Sequence, residues 1–282
     1  MIPTMKEFYR TALVADSLSL GSHWIYDSKK IEARFPSGVR IPEAPMAEYH
    51  GGKVAGDLTH YGDQTVLLAR SIEKRGGFDT GAWRDDWLEG MQDFGGYVDG
   101  ASRESKASGG RSPSSSSDLG GAARIAPILD LGLVEDDAVA AAIAQTKLTH
   151  GDPVVAEAAE FFTRSSYEVR RGKTIRDALE EVARQYDFPK LNAKEVLEQG
   201  LVAQEMEPKA AAAKFGAACG TLQAFPLAIY FLIRNEEFEN AISENAMVGG
   251  DSSARSMLMA LLYAAKDPKI AKRHERAVNA LK

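Results

Sequence analysis

The sequence predicts an all-α fold in one large domain, with roughly ten or more helices around a buried central one. Three observations predict it. Apolar residues recur three and four positions apart along most of the chain, convincing strand-like alternation is missing, and nothing in the middle reads as an interdomain linker. A chain of 282 residues is compatible with a single large domain.

The elements follow in order. Helical spacing is legible in KEFYRTALVADSLSL (6–20), QTVLLARSIEK (64–74) and TGAWRDDWLEGMQDF (80–94). It continues in DDAVAAAIAQTKL (136–148), PVVAEAAEFFTRSSYEVRRG (153–172), TIRDALEEVARQY (174–186) and NAKEVLEQGLVAQE (192–205). Asp152, before Pro153, and Asn192 are expected helix caps, and Gly172 an expected stop. Residues 210–234 carry little charge, which predicts a helix buried on most sides, kinked or interrupted at Pro226. DSSARSMLMALLYAAK (251–266) adds another buried-looking helix. Residues 100–118, rich in Ser and Gly, break the pattern and read as a surface loop or a lid over a substrate.

Composition narrows the function classes. A hydrophobic share of 44% with a net charge of −6 describes a soluble protein that builds a core. The acidic balance, with no Lys/Arg-rich run, argues against a nucleic-acid binder. No apolar run reaches the roughly 18 residues a membrane span needs, and the first residues lack the pattern of a secretory signal, so a cytoplasmic location is expected. The one cysteine, Cys219, sits in an apolar stretch and is expected to be a small core residue rather than a nucleophile.

The chemistry concentrates at two helix starts. THYGDQTVLLARSI (59–72) and VGGDSSARSMLMALLYAA (248–265) each place a Gly-Asp pair before an apolar helix. Asp63 and Asp251 are each well placed to cap a helix through backbone N–H groups. If the two starts face one cleft, the same carboxylates become catalytic groups or ligands of a hard cation such as Mg²⁺. The hydroxyls of Thr65, Ser252 and Ser253 stand close by in sequence, behind the flexible Gly249 and Gly250. Four further stretches supply candidate substrate contacts. SLGSHWIYD (19–27) contributes His23, and DLTHYGDQT (57–65) contributes His60 beside Asp57 and Tyr61. SSDLGGAARIAPI (116–128) offers Ser117, Asp118, Gly120 and Gly121, whose backbone suits a phosphate. LTHGDP (148–153) puts His150 in a turn, as a hydrogen-bonding or proton-transferring histidine.

The order of these pieces resembles the ADP-ribosylglycohydrolase family, and more closely its J1-crystallin-like branch. The resemblance rests on His23-Trp24-x-Tyr26, His60-Tyr61-Gly62-Asp63-Gln64-Thr65, Ala123-Arg124-Ile125-Ala126-Pro127, Thr149-His150-x-Asp152-Pro153 and Gly249-Gly250-Asp251-Ser252. It implies an all-α fold, a metal-lined cleft with paired Mg²⁺ ions, and hydrolysis of the glycosidic bond joining ADP-ribose to a protein side chain or small acceptor. Such a substrate is the expected partner. The family's Thr-Asp-Asp-Thr reads Gly62-Asp63-Gln64-Thr65 here, and its Gly-Gly-Asp-Thr-Asp-Thr reads Gly249-Gly250-Asp251-Ser252-Ser253-Ala254. An acid that the family carries after its first glycine falls near Ile25, with Asp27 the nearest carboxylate. Two divalent ions about 4 Å apart repel, and two carboxylates offset that far less than four. The expectation is therefore an ADP-ribosylglycohydrolase-like enzyme with one Mg²⁺ ion or none, Asp63 and Asp251 lining its pocket. The alternative is a non-catalytic, crystallin-like or ligand-binding descendant.

Overall fold

The computed structural model describes residues 6–282, whose regular secondary structure is helical. In chain order the helices are α1 (Glu7–Ser19), α2 (Ser28–Arg34), α3 (His60–Arg75), α4 (Thr80–Gly90), α5 (Gly100–Ala107), α6 (Ala126–Leu129), α7 (Glu135–Lys147) and α8 (Pro153–Arg170). There follow α9 (Ile175–Gln185), α10 (Ala193–Ala203), α11 (Pro208–Phe215), α12 (Thr221–Arg234), α13 (Phe238–Val248), α14 (Ser252–Lys266) and α15 (Ile270–His274). Among the described residues there is no strand, only isolated bridges at Ser114–His150 and Asp118–Gly220. No helix among them is long and apolar enough to cross a membrane.

α14 is the central helix, with every residue from Ser252 to Ala264 buried. It packs against α1, α8, α12 and α13, while α3 lies against α1, α7 covers α8 and α10 covers α12. Leu258, Leu261 and Leu262 are fully enclosed, and such burial contributes about 1.5–3 kcal/mol per side chain. The small residues at its start allow α1 close enough for the Ser19 and Ser256 hydroxyls to bond at 2.8 Å. The start of α1 is held from a distance: the N–H groups of Lys6, Phe8 and Tyr9 donate to the Asp130 carboxylate at 2.9, 3.2 and 3.0 Å.

Several expectations are corrected. The apolar stretch 210–234 is two helices, broken at Gly216–Gly220 and not at Pro226. Proline sits one turn into α12, where the carbonyl it leaves free belongs to Leu222, a residue 63% exposed. α12 is largely buried, but the enclosed centre is α14. The first 8 residues of the segment read as a loop, residues 100–118, are helix α5, started by the Asp99 carboxylate accepting from the Ser102 N–H at 2.8 Å. Its Ser102 and Ser105 are buried, with the Ser105 hydroxyl donating to the Leu148 carbonyl at 2.6 Å. Cys219 is only partly buried, in the break between α11 and α12. Asp152 caps α8 as expected, accepting from the Val154 N–H at 3.0 Å. Asn192 stands at the start of α10 in a left-handed conformation, φ 50°, and its side chain bonds Glu195 and makes no cap.

Candidate functional site

Both helix starts meet on α1, through a residue the motif reading missed. Asp16 is buried at the inner face of α1 and accepts from the Thr59 N–H at 2.8 Å, the Thr59 hydroxyl at 2.5 Å and the Ser253 hydroxyl. Thr59 is the cap of α3, and Ser253 lies in the first turn of α14. A carboxylate inside the apolar run ALVADSLSL was the available signal. Burial raises its pKa to about 6, against the opposing hydrogen bonds from Ser253 and Thr59.

The two predicted aspartates are not equivalent. Asp63 lies one turn inside α3, so Thr59 and not Asp63 is the cap, accepting from the Tyr61 N–H at 3.2 Å. Both Asp63 oxygens take the Lys53 ammonium, at 2.9 and 2.7 Å, and about a fifth of the side chain meets solvent. Burial raises the Asp63 pKa, opposed by Lys53. Asp251 occupies the position before α14, yet its side chain makes no capping hydrogen bond. It is fully enclosed, accepts from the Tyr61 hydroxyl at 3.2 Å and has His23 Nδ1 at 3.6 Å. Burial raises its pKa to about 6, opposed by the buried Arg255 and reinforced by Asp118.

The backbone fixes Asp251 without slack. The Trp24 N–H donates to the Gly250 carbonyl at 2.7 Å, the Gly250 N–H to the Ile25 carbonyl at 2.8 Å, and the Asp251 N–H to the Ala217 carbonyl at 2.8 Å. Gly249 and Gly250 have φ of 70° and 64°, and a Cβ on either would lie 2.1 Å from the Ile25 oxygen or 2.0 Å from the Ala217 oxygen. Their role is this close approach. Trp24 pays a conformational penalty for the same pairing, with φ 61°. Arg255 ties the segment together, donating to Asn245 at 2.6 Å, to the Gly249 carbonyl at 2.6 Å and to the Ala217 carbonyl at 3.1 Å.

Beside Asp251 stand three buried histidines, His23, His50 and His60, with one ligand atom from each lying within 4.8 Å of the others. His50, outside every motif singled out from the sequence, brings its Nε2 to 3.3 Å from His60 Nδ1. Trp24, Tyr49 and Tyr97 wall the cluster with rings set edge to face. Burial lowers the pKa of all three, that of His50 to about 4, so all are neutral at pH 7. His150 stands apart from this trio, bonding the Thr149 hydroxyl at 2.8 Å through Nδ1.

The remaining predicted residues have mainly packing partners. A Cβ on Gly120 would lie 2.1 Å from the Tyr61 ring and one on Gly121 2.6 Å from the His150 ring. Both glycines are buried with these rings against their Cα atoms, and the Gly121 N–H donates to the Asp118 carbonyl at 3.3 Å. The Ser117 carbonyl accepts from the Thr221 N–H and hydroxyl, at 2.8 and 2.7 Å. Burial raises the Asp118 pKa, and its charge is felt at Asp251. The Ser252 carbonyl accepts from Asn245 at 2.8 Å, while its buried hydroxyl has no partner.

Gln64 is enclosed, and its amide is fully committed. Its oxygen accepts from Trp87 Nε1 at 3.1 Å and from the buried Arg124 guanidinium; its nitrogen donates to Asp99 at 3.3 Å and Ser102 at 3.2 Å. An acceptor and a donor are both needed here, which an ionised carboxylate cannot supply. The set does not fit a dinuclear Mg²⁺ centre. Asp63 is neutralised by Lys53, Gln64 replaces an acid, and the enclosed Asp251 faces nitrogen and hydroxyl groups rather than a second free carboxylate.

Comparison with known proteins follows the same lines. A solved structure described as an "ADP-ribosylglycohydrolase-related protein complex" superposes with a TM-score of 0.76 at 20% identity, over 98% of this chain and 92% of that one. No curated protein matches closely enough to be reported as a relative. The family model for ADP-ribosylglycohydrolase matches residues 11–267, a span that holds Asp16, both helix starts and all three clustered histidines. The chain belongs to the ADP-ribosylglycohydrolase family.

Proposed function

We propose that the protein hydrolyses an N- or O-glycosidic bond to ADP-ribose or a related nucleotide sugar, using Asp251 as proton donor and Asp63 to position water. The observation that carries this reading is the contrast between the two carboxylates. Asp251 is enclosed, with its pKa raised to about 6 and the Tyr61 hydroxyl at 3.2 Å. Asp63 is partly solvated and held against Lys53. Two carboxyl groups in unlike surroundings are the usual means of dividing acid from base in glycoside hydrolysis. No step of this reading passes through a Mg²⁺ ion.

The test is release of free ADP-ribose from modified arginine, modified serine or a small conjugate. Asp251→Asn and Asp63→Asn should each lower kcat/KM by roughly 10²–10⁴-fold, the contribution of a positioned acid or base. Unchanged release in both variants would sink the assignment. A second reading, ligand binding without catalysis, is favoured by the Lys53–Asp63 ion pair, which occupies both oxygens of the proposed base. It predicts that ADP-ribose raises the unfolding temperature while no conjugate is cleaved.

A further inference from the structure

We propose that His23, His50 and His60 form a binding site for one transition-metal ion of the Zn²⁺ class. The donor set is three imidazoles, which suits Zn²⁺, Co²⁺ or Cu²⁺ and not the oxygen-seeking Mg²⁺. Spacing supports it. A tetrahedral ion with Zn–N bonds of about 2.05 Å places its nitrogens about 3.3 Å apart. His50 Nε2 and His60 Nδ1 are 3.3 Å apart, and the trio as a whole lies within 4.8 Å. Ligation requires His23 to close on that pair from a separation of up to 4.8 Å.

The hydrogen bonding around the rings points the same way. Mutual contact between His50 and His60 accounts for one nitrogen on each ring. It leaves His23 Nε2, His50 Nδ1 and His60 Nε2 buried without a hydrogen-bond partner. Such orphaned groups call for an explanation, and an ion shared by His23 Nε2 and the facing nitrogens of His50 and His60 supplies one for His23 Nε2. The opposite nitrogens then lie near carboxylates, Asp251 3.6 Å from His23 Nδ1 and Asp99 4.0 Å from His60 Nε2. The Ser253 N–H also reaches His23 Nδ1 at 3.4 Å, so ligation through Nε2 requires the His23 proton to move to Nδ1, toward Asp251. A carboxylate behind a ligating imidazole is the common outer arrangement of zinc sites, fixing the tautomer and ring orientation. Three protein ligands leave a fourth position, as in zinc sites that bind a water or a small ligand. Of the five histidines, His150 and His274 lie outside the trio and serve as controls.

The experiment uses the untagged, chelator-treated full chain, titrated with Zn²⁺ by calorimetry and with Co²⁺ by its visible absorption. One ion per chain is expected, with the intense bands of a tetrahedral Co²⁺ centre, and a millimolar excess of Mg²⁺ should not displace it. His50→Ala and His60→Ala, each checked for folding by circular dichroism, should lose the Co²⁺ bands and weaken Zn²⁺ binding by more than 100-fold. His150→Gln and His274→Gln should bind like the parent. Because His50 sits at the edge of the cluster, its variant decides the question if His60→Ala fails to fold. No Zn²⁺ or Co²⁺ uptake by the folded parent at tens of micromolar would overturn the proposal, as would unchanged uptake by folded His50→Ala.

Discussion

The Asp16 carboxylate occupies the space a side chain at Gly62 would need: a Cβ there would lie 2.1 Å from Asp16 Oδ2. This explains the glycine before Asp63 without appeal to flexibility, because α1 and α3 touch through that carboxylate. Gly62→Ala should therefore destabilise the protein by about 1–3 kcal/mol, the usual cost of overpacking a filled site. In urea unfolding, the loss should shrink when Asp16→Ala is added, since removing the carboxylate makes room. Strict additivity of the two changes would contradict the contact.

Lys53 and Asp63 form a pair of which each side chain is roughly a fifth exposed, at 23% and 21%. Partial solvation limits its contribution to stability, so Lys53→Met should change unfolding free energy by less than about 1 kcal/mol. Its effect belongs to titration. Lys53 opposes the rise that burial imposes on the Asp63 pKa. Removing it should move the acid limb of the activity profile to higher pH, measured as kcat/KM against pH. A limb that stays in place would separate Asp63 from the rate-determining ionisation.

Gln64 is the position at which the family motif carries an acid, so Gln64→Glu looks like a restoration. The surroundings argue otherwise. The amide nitrogen donates to Asp99 and Ser102, and a carboxylate would set two acids together in an enclosed space. A loss of about 1–3 kcal/mol is expected from the forfeited donor, eased by the Arg124 guanidinium on the other side. Thermal shift with Mg²⁺ should show no new response. A Mg²⁺-dependent stabilisation would mean that Gln64 alone withholds the site from Mg²⁺.

What the sequence disclosed follows from the range over which each signal acts. Helix spacing is local, so α3, α8, α9 and α14 were legible, and the motif order carried the family. Asp63, Asp251, His23 and His60 stood out in the sequence because each sits in a short motif. Asp16 and His50 were missed because their meaning is set at long range. Asp16 serves Thr59 and Ser253 on other helices, and His50 lies in an irregular segment whose partner His60 begins α3. The break between α11 and α12 was misplaced at Pro226 although the glycines of FGAACG mark it. A proline rule overrode them where the freed carbonyl belongs to the exposed Leu222.

Asp130 and His150 give stability opposite slopes with pH. Burial raises the Asp130 pKa from 3.8 to about 6, against three backbone N–H donors. Between those values the native state binds a proton that the unfolded chain does not, so Asp130 adds stability as pH falls and removes it as pH rises. His150 works the other way. Burial lowers its pKa from 6.5 to about 3, so on acidification the unfolded chain takes the proton first and stability is lost. Urea midpoints for the parent, Asp130→Asn and His150→Gln, from about pH 7 to about pH 4, separate the two contributions. Asp130→Asn should lose stability more steeply than the parent on acidification, and His150→Gln less steeply. If both variants ran parallel to the parent, neither group would change its proton affinity on folding, and the enclosed environments drawn for them would be wrong.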